Sequence, residues 1–354
     1  RLRAAGTRGR SEAQNSVRRR SRPGRRNHPQ IMKFLVVSNP RTARARRQLQ
    51  TLQRALPQSS TVAHRVTEDL AQATKVMIDT RWHADDTLVI NGGDGTAQRL
   101  LTLLLTHCPP QDRPRVALLP GGTTNMTAFD VNTHRGYRRC LESLCQARKA
   151  PQLQVLTDRP LVRVTLPDGN QYGFFFGVGT IVQGIEYFHQ RIHPGGGRHE
   201  LGAGLALLRT LWGIARHQPP FAEPLPLYLP AGSLETAADL SASGDWIRVP
   251  IRLCLVTALQ RLFLGIRPYW NQTSGPLRAT LVEADADPFI SSMPRLLRGR
   301  PGPAMTPEDG YHSTGLESLQ LRFSGALTLD GELFSNRGDT ISIEATDPLR
   351  FLIL

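Results

Sequence analysis

At 354 residues with 40% hydrophobic content, the chain is long enough for two domains and too apolar to be disordered throughout. Its net charge of +15 suggests a nucleic-acid partner, but residues 1–31 hold ten arginines against the single acid Glu12, leaving about +6 for everything else and making nucleic acid unlikely. No apolar run reaches the ~20 residues of a membrane-spanning helix. Cys108, Cys140, Cys145 and Cys254 show neither metal-ligand spacing nor a disulfide framework, which reads as reduced thiols in a cytoplasmic protein.

Residues 1–31 lack apolar periodicity and are expected to form a disordered basic arm. They have no apolar core of a secretory signal. Met32 reads as the natural start and the arm as an upstream extension; a nucleic-acid arm and an organelle-targeting peptide are the competing readings. A β-branched strand over 33–38 runs into Asn39 and Pro40, and an Arg- and Gln-rich helix follows over 44–55. A strand over 61–66 leads to a helix with Thr67 as N-cap, Glu68 and Asp69 in its first turn, and Leu70, Ala73, Val76 and Met77 on one face. A buried strand over 87–90, the turn 91–95 and a Leu-rich helix come next. A strand over 115–119 enters Pro120-Gly121-Gly122-Thr123-Thr124-Asn125, followed by a helix over 137–148. Four strands alternating with helices predict a largely parallel sheet whose ligands bind beyond the strands' carboxyl ends. Asn39, Thr67 and the turns at 92–96 and 121–125 all fall on that edge.

From Pro151 the texture changes to short strands. Runs over 161–166 and 172–178 flank Asp168-Gly169-Asn170 as a hairpin. A helix over about 185–215 is interrupted by Pro194 and the glycines at 195–197, which predict a mobile loop. Further strands are expected over 225–229, 246–256, 277–284, 319–323, 325–329 and 340–344, with a disordered or variable loop near 298–303. The expected fold is α/β: an N-terminal Rossmann-like nucleotide-binding domain over 32–155 and a C-terminal antiparallel domain over 156–354 that reads as a β-sandwich or as barrel-like.

Gly92-Gly93-Asp94-Gly95-Thr96, placed between a strand and a helix, has the form of a phosphate cradle. Glycine lets the backbone approach an anion closely, and a helix N-terminus adds partial positive charge. Asp94 would repel a phosphate, so it calls for a cation, a lysine or a hydroxyl to bond. The plainer reading is a tight turn capped by an Asp.

With Ser38-Asn39-Pro40 at the end of the first strand, the sequences INGGDGT (90–96), LPGGTTN (119–125) and LTLDGELF (327–334) resemble the diacylglycerol kinase catalytic family, which includes bacterial soluble lipid kinases and sphingosine and ceramide kinases. The likeness covers about residues 33–354 and implies an active site in the cleft between the two domains. It implies that Asn39, Thr67, Gly92, Gly93, Gly95, Thr96, Gly122, Thr123 and Asn125 hold ATP. By the same resemblance Asp94 sits by the γ-phosphate and Mg2+, and Asp330 and Glu332 form the second domain's acidic pair, with Asp330 as general base. Asp330-Gly331 is also, independently, a favoured hairpin turn.

Several positions depart from the family's pattern: Met126 where an Asp is usual, with Asp130 as a stand-in candidate; Gln98 and Arg99 in place of Asn-Glu; and no Asn before Gly177. The resemblance implies an ATP- and Mg2+-dependent kinase acting on a hydroxyl of a diacylglycerol-like lipid presented at a membrane surface. Such a protein would be cytoplasmic, peripheral on the inner membrane surface, with a homodimer allowed. Segments 174–178 and 201–215 are candidates for an acyl-chain wall, against the blander reading as core. An NAD kinase-like enzyme, which shares GGDGT, and a catalytically inactive nucleotide- or lipid-binding protein are the alternatives.

Overall fold

In the computed structural model, residues 33–40, 43–122, 124–134, 136–187, 223–231, 245–271 and 275–354 are described. The expected basic arm, the bulk of the predicted 185–215 helix with its loop, and Thr123 lie outside them. The chain from Met32 to Leu354 is one unit built on two sheets.

The first sheet begins with β1 (Phe34–Ser38), α1 (Ala43–Ala55), β2 (Val62–Val66), α2 (Leu70–Asp79), β3 (Thr87–Gly92), α3 (Asp94–His107) and β4 (Arg115–Pro120). Helices α4 (Met126–Val131) and α5 (Tyr137–Lys149) follow. Two later strands, β5 (Leu156–Arg159) and β15 (Leu349–Leu352), complete the order β2-β1-β3-β4-β15-β5. All neighbours are parallel except β5 against β15. The sheets therefore do not divide at residue 155, since the first takes a strand from each end of the later chain. β1 and β3 are buried nearly end to end, as a parallel sheet covered on both faces requires. Register matters most for function: Ser38 pairs Val66 and Asn91, and Gly92 pairs Pro120. The residues that follow these pairs (Asn39, Thr67, Gly93 and Gly121) thus emerge along one edge.

The second half contains β6 (Val162–Leu166), β7 (Gly169–Gly173), β8 (Phe175–Gly179), α6 (Thr180–Tyr187), β9 (Leu225–Pro230), β10 (Trp246–Thr257) and β11 (Leu277–Glu283). After these come α7 (Phe289–Leu296), β12 (Tyr311–Leu316), β13 (Ser318–Leu329) and β14 (Glu332–Ala345). Among the described residues, its nine strands form one hydrogen-bonded antiparallel network, in which β8 and β9 lie end to end between the long strands β10 and β13.

Several expectations are corrected. The N-cap of α2 is Asp69, whose carboxylate accepts from Gln72 N at 2.8 Å, while Thr67 is buried at the strand end and Leu70 is exposed. The first hairpin turns at Pro167-Asp168, so Gly169 and Asn170 are already in β7. The two strands predicted around Ser324 are the single β13, with a register shift between Arg322 and Ser324 absorbing the extra residue. Residues 298–303 form a defined turn, with Arg300 N donating to Arg295 O at 3.0 Å. Segment 174–178 is core: Phe174, Phe176 and Val178 are buried, and Phe174 meets Phe351 edge-on at 5.7 Å. Segment 201–215 lies outside the described residues.

The two halves share a core, since leucines of α3 and Phe176 of β8 belong to one apolar cluster. Polar bonds fix the seam. Gln98 Nε2 donates to Gln171 Oε1 at 3.3 Å, and Thr102 Oγ1 both donates to Tyr172 O and accepts from Tyr172 N. This packing aims the N-terminus of α3 at the β13–β14 turn.

Candidate active site

Two glycine turns meet backbone to backbone at the edge of the first sheet. Gly121 N donates to Gly92 O at 3.0 Å, and a Cβ on Gly122 would collide with the backbone of Gly93. No other residue permits this approach. Asn125, left-handed at φ 49°, closes the second turn on itself, its Oδ1 accepting from Gly122 N at 2.7 Å and its Nδ2 donating to Gly122 O at 2.9 Å. The cavity left beneath the turns is about 10 Å3, room for one water at most, so an anion must lie on their outer side. There the first turn of α3 presents the N–H groups of Asp94, Gly95 and Thr96, which have no intrahelical partner.

The neighbouring strand ends are tied to this point. Asn91 Nδ2 donates to Ser38 Oγ at 3.0 Å, and Tyr137, whose hydroxyl burial pushes up, donates to Asn91 Oδ1 at 3.1 Å. Asn39 N donates to Asn91 O and Thr67 N to Ser38 O. Asn39 Oδ1 is buried without a hydrogen-bond partner among the described residues, an acceptor suited to a ligand hydroxyl or amine.

Asp94 takes the hydroxyl option that its sequence position left open. Its Oδ2 accepts from Thr124 Oγ1 at 2.6 Å and from Met126 N at 3.0 Å, while Oδ1 accepts from Thr127 N at 3.0 Å. The carboxylate therefore caps α4 and fastens the second glycine turn to the first. Three of its roughly four acceptor positions are filled.

Asp330-Gly331 is both a hairpin turn and part of the site. Leu329 pairs Glu332, and both turn residues are left-handed, at φ 51° and 88°. The Asp330 carboxylate points inward and is 5% exposed. It accepts from Phe174 N at 2.9 Å and Phe175 N at 2.9 Å, at the break between β7 and β8, where Gly173 leaves room for Oδ2. Burial, reinforced by the nearby Asp94 charge, pushes Asp330 up to about 8 against the pull of those N–H bonds. Glu332 lies against Gly95, where a Cβ would overlap its carboxylate, and accepts from Arg99 at 2.7 Å.

Asp330 and Glu332 thus converge with Asp94, Gly95 and Thr96, and the strand-end residues Asn39, Thr67, Gly92, Gly93, Gly122 and Asn125 line the same edge. Asp130 is not part of this cluster: its carboxylate accepts from Gln260 N and Arg261 N, capping a loop of the second half, so it does not stand in for an acid at Met126. Thr124, Gly173 and the backbone of Phe174 and Phe175 enter the site in roles the sequence did not assign to them.

The donors and acceptor present fit a nucleotide: glycine turns and helix N–H groups share an edge with the Asn39 amide oxygen. No cluster of three metal-ligating side chains occurs among the described residues. What is present suits Mg2+, which is held by one or two carboxylates plus substrate phosphates, through the remaining lone pair of Asp94.

Residues 33–154 match the family described as the diacylglycerol kinase catalytic domain. No curated protein matches the chain. Among solved structures, a diacylglycerol kinase from Bacillus anthracis str. Sterne is similar at TM-score 0.57 and 15% identity, covering 91% of this chain and 97% of that one. Two structures of candidate diacylglycerol kinases from the same organism are similar at TM-score 0.60 and 15% identity, each over 91% of this chain and over 97% and 96% of theirs.

Proposed function

We propose, from the match of residues 33–154 to the diacylglycerol kinase catalytic domain, that the protein is a lipid kinase, transferring the γ-phosphoryl group of ATP to a hydroxyl of a diacylglycerol-like lipid. The observation that carries the reading is the convergence of Asp330 and Glu332 on the Gly92–Thr96 turn from a distant part of the sequence, with Glu332 against Gly95 and Asp330 buried in the field of Asp94.

Asn39, Thr67, Gly92, Gly93, Gly95, Thr96, Gly122 and Asn125 bind the nucleotide along the sheet edge, the first turn of α3 taking phosphate oxygens on its N–H groups, and Thr123 is assigned to the same role from its place in the sequence alone. When bound, Mg2+ beside Asp94 offsets phosphate charge. Asp330 Oδ accepts the proton of the lipid hydroxyl, a contribution typically worth about 10²- to 10⁴-fold. The N–H groups of Phe174 and Phe175 hold its carboxylate in place, and Arg99 positions Glu332 at the mouth.

Pure protein given labelled ATP, Mg2+ and a panel of lipids in mixed micelles should yield labelled phospholipid from a diacylglycerol-like acceptor, and chelation of Mg2+ should stop it. Stabilisation by Mg-ATP without transfer to any lipid in the panel would defeat the proposal in favour of a binding protein.

A further inference from the structure

Residues 259–271 and 288–306 carry five arginines, Arg261, Arg267, Arg295, Arg298 and Arg300, and no Asp or Glu; Asp285, Asp287, Glu308 and Asp309 flank the second segment. All five arginines are exposed, and none forms an ion pair with an acid among the described residues. The segments are pinned together. Arg267 N donates to Leu297 O at 2.9 Å, and Gly299, left-handed at φ 61°, sits against the carbonyls of Arg267 and Tyr269, where a side chain has no room. Between the segments runs a groove of about 680 Å3, walled by Leu264, Ile290 and Leu297 and rimmed by Arg267, Arg298 and Arg300.

Two apolar tips stand out of this basic face, Leu264 at 62% and Ile290 at 45% exposure. Leu264 is unfavourable twice over, since it is held at φ 56°, a region that leucine avoids, and its side chain is turned into water. Aliphatic tips ringed by guanidinium groups without an acid partner among the described residues match an anionic bilayer, whose phosphates meet the arginines at the depth where acyl chains begin. The face is also joined to the site. Phe174, whose N–H holds Asp330, accepts at its carbonyl from Thr257 Oγ1 at 2.8 Å and Ala258 N at 2.9 Å, where the chain enters the 259–271 segment.

We propose that this face docks the protein on an anionic phospholipid surface, with Leu264 and Ile290 entering the acyl region and the arginines contacting lipid phosphates. The proposal deepens the lipid-kinase reading and rests on it for its purpose, while the docking itself is measurable without catalysis. The full chain is sedimented with vesicles of equal parts phosphatidylglycerol and phosphatidylcholine, and separately with pure phosphatidylcholine. The wild-type protein should bind the anionic vesicles roughly tenfold better than the neutral ones. Leu264→Asn with Ile290→Gln, and Arg298→Gln with Arg300→Gln, should each weaken that binding about fivefold or more. Asn tolerates the left-handed turn, so the unfolding midpoint should hold. Anionic vesicles that fail to bind wild type, or bind both variants as well as wild type, would overturn the docking face; the latter is the outcome expected if the groove serves a protein partner and the 1–31 arm does the binding. Failure of docking with micellar lipid still phosphorylated would leave the kinase standing. Docking as expected without phosphorylation would remove the kinase alone.

Discussion

Arg99 on α3 donates to Glu332 at 2.7 Å across 233 residues of sequence, laying the Glu332 carboxylate against Gly95. Both side chains are about a third exposed, so the pair contributes under about 1 kcal/mol to stability and its effect is positional. Gly95→Ala places a methyl where the Glu332 carboxylate lies. Because that carboxylate ends a flexible side chain, stability should change by less than about 1 kcal/mol while kinase activity falls about tenfold or more. Comparing denaturant midpoints with turnover checks this, and a variant losing both in proportion would contradict it.

The Gly93–Gly122 contact differs because backbone meets backbone. Gly122→Ala should cost about 1–3 kcal/mol through forced separation of the turns, read as a lower thermal midpoint.

Asp94 anchors Thr124, Met126 and Thr127. Asp94→Ala should therefore destabilise by on the order of 3 kcal/mol, because it orphans two buried N–H groups and a hydroxyl. Lost activity in that variant would reflect the unfastened glycine turn as much as any metal role. Urea unfolding of Asp94→Ala against Asp94→Asn, which keeps an acceptor oxygen, reads the difference.

Asp330 makes both stability and rate depend on pH. Its carboxyl lies at about 8 in the fold against an ordinary 3.8, chiefly through burial and then through Asp94. The folded protein holds a proton between these values that the unfolded chain releases. The contribution is therefore fully present below the lower value and lost as pH rises through the upper one. Between about pH 5 and pH 9, wild type should lose stability relative to Asp330→Asn. As a general base, Asp330 must be ionised, so kcat/KM should rise with pH and level off above about 8.

The first half was the more legible because each parallel strand is an apolar run closed by glycine or a polar turn, and register then forces those turns onto one edge. Asp330 illustrates why two readings of a motif need not compete: the Asp-Gly hairpin orients the carboxylate inward. Arg99 stood out only as a departure, since its partner Glu332 is adjacent in space alone. Strand β15 and the Asp130 clamp were hidden for the same reason, their roles being set by contacts with distant chain. Thr67 misled because three polar residues precede α2, and only the geometry selects Asp69 as the cap.

The most direct test of the account is phosphoryl transfer by Asp330→Asn beside wild type, with Mg-ATP and the preferred lipid, at a pH above 8 where the wild-type carboxyl is ionised. Asn keeps one acceptor oxygen, and Oδ1 of Asp330 already accepts from both Phe174 N at 3.1 Å and Phe175 N at 2.9 Å, so the variant should fold while transfer falls by about 10²-fold or more. A folded Asp330→Asn protein that phosphorylates lipid at the wild-type rate would contradict the assignment of Asp330 and the active site built around it.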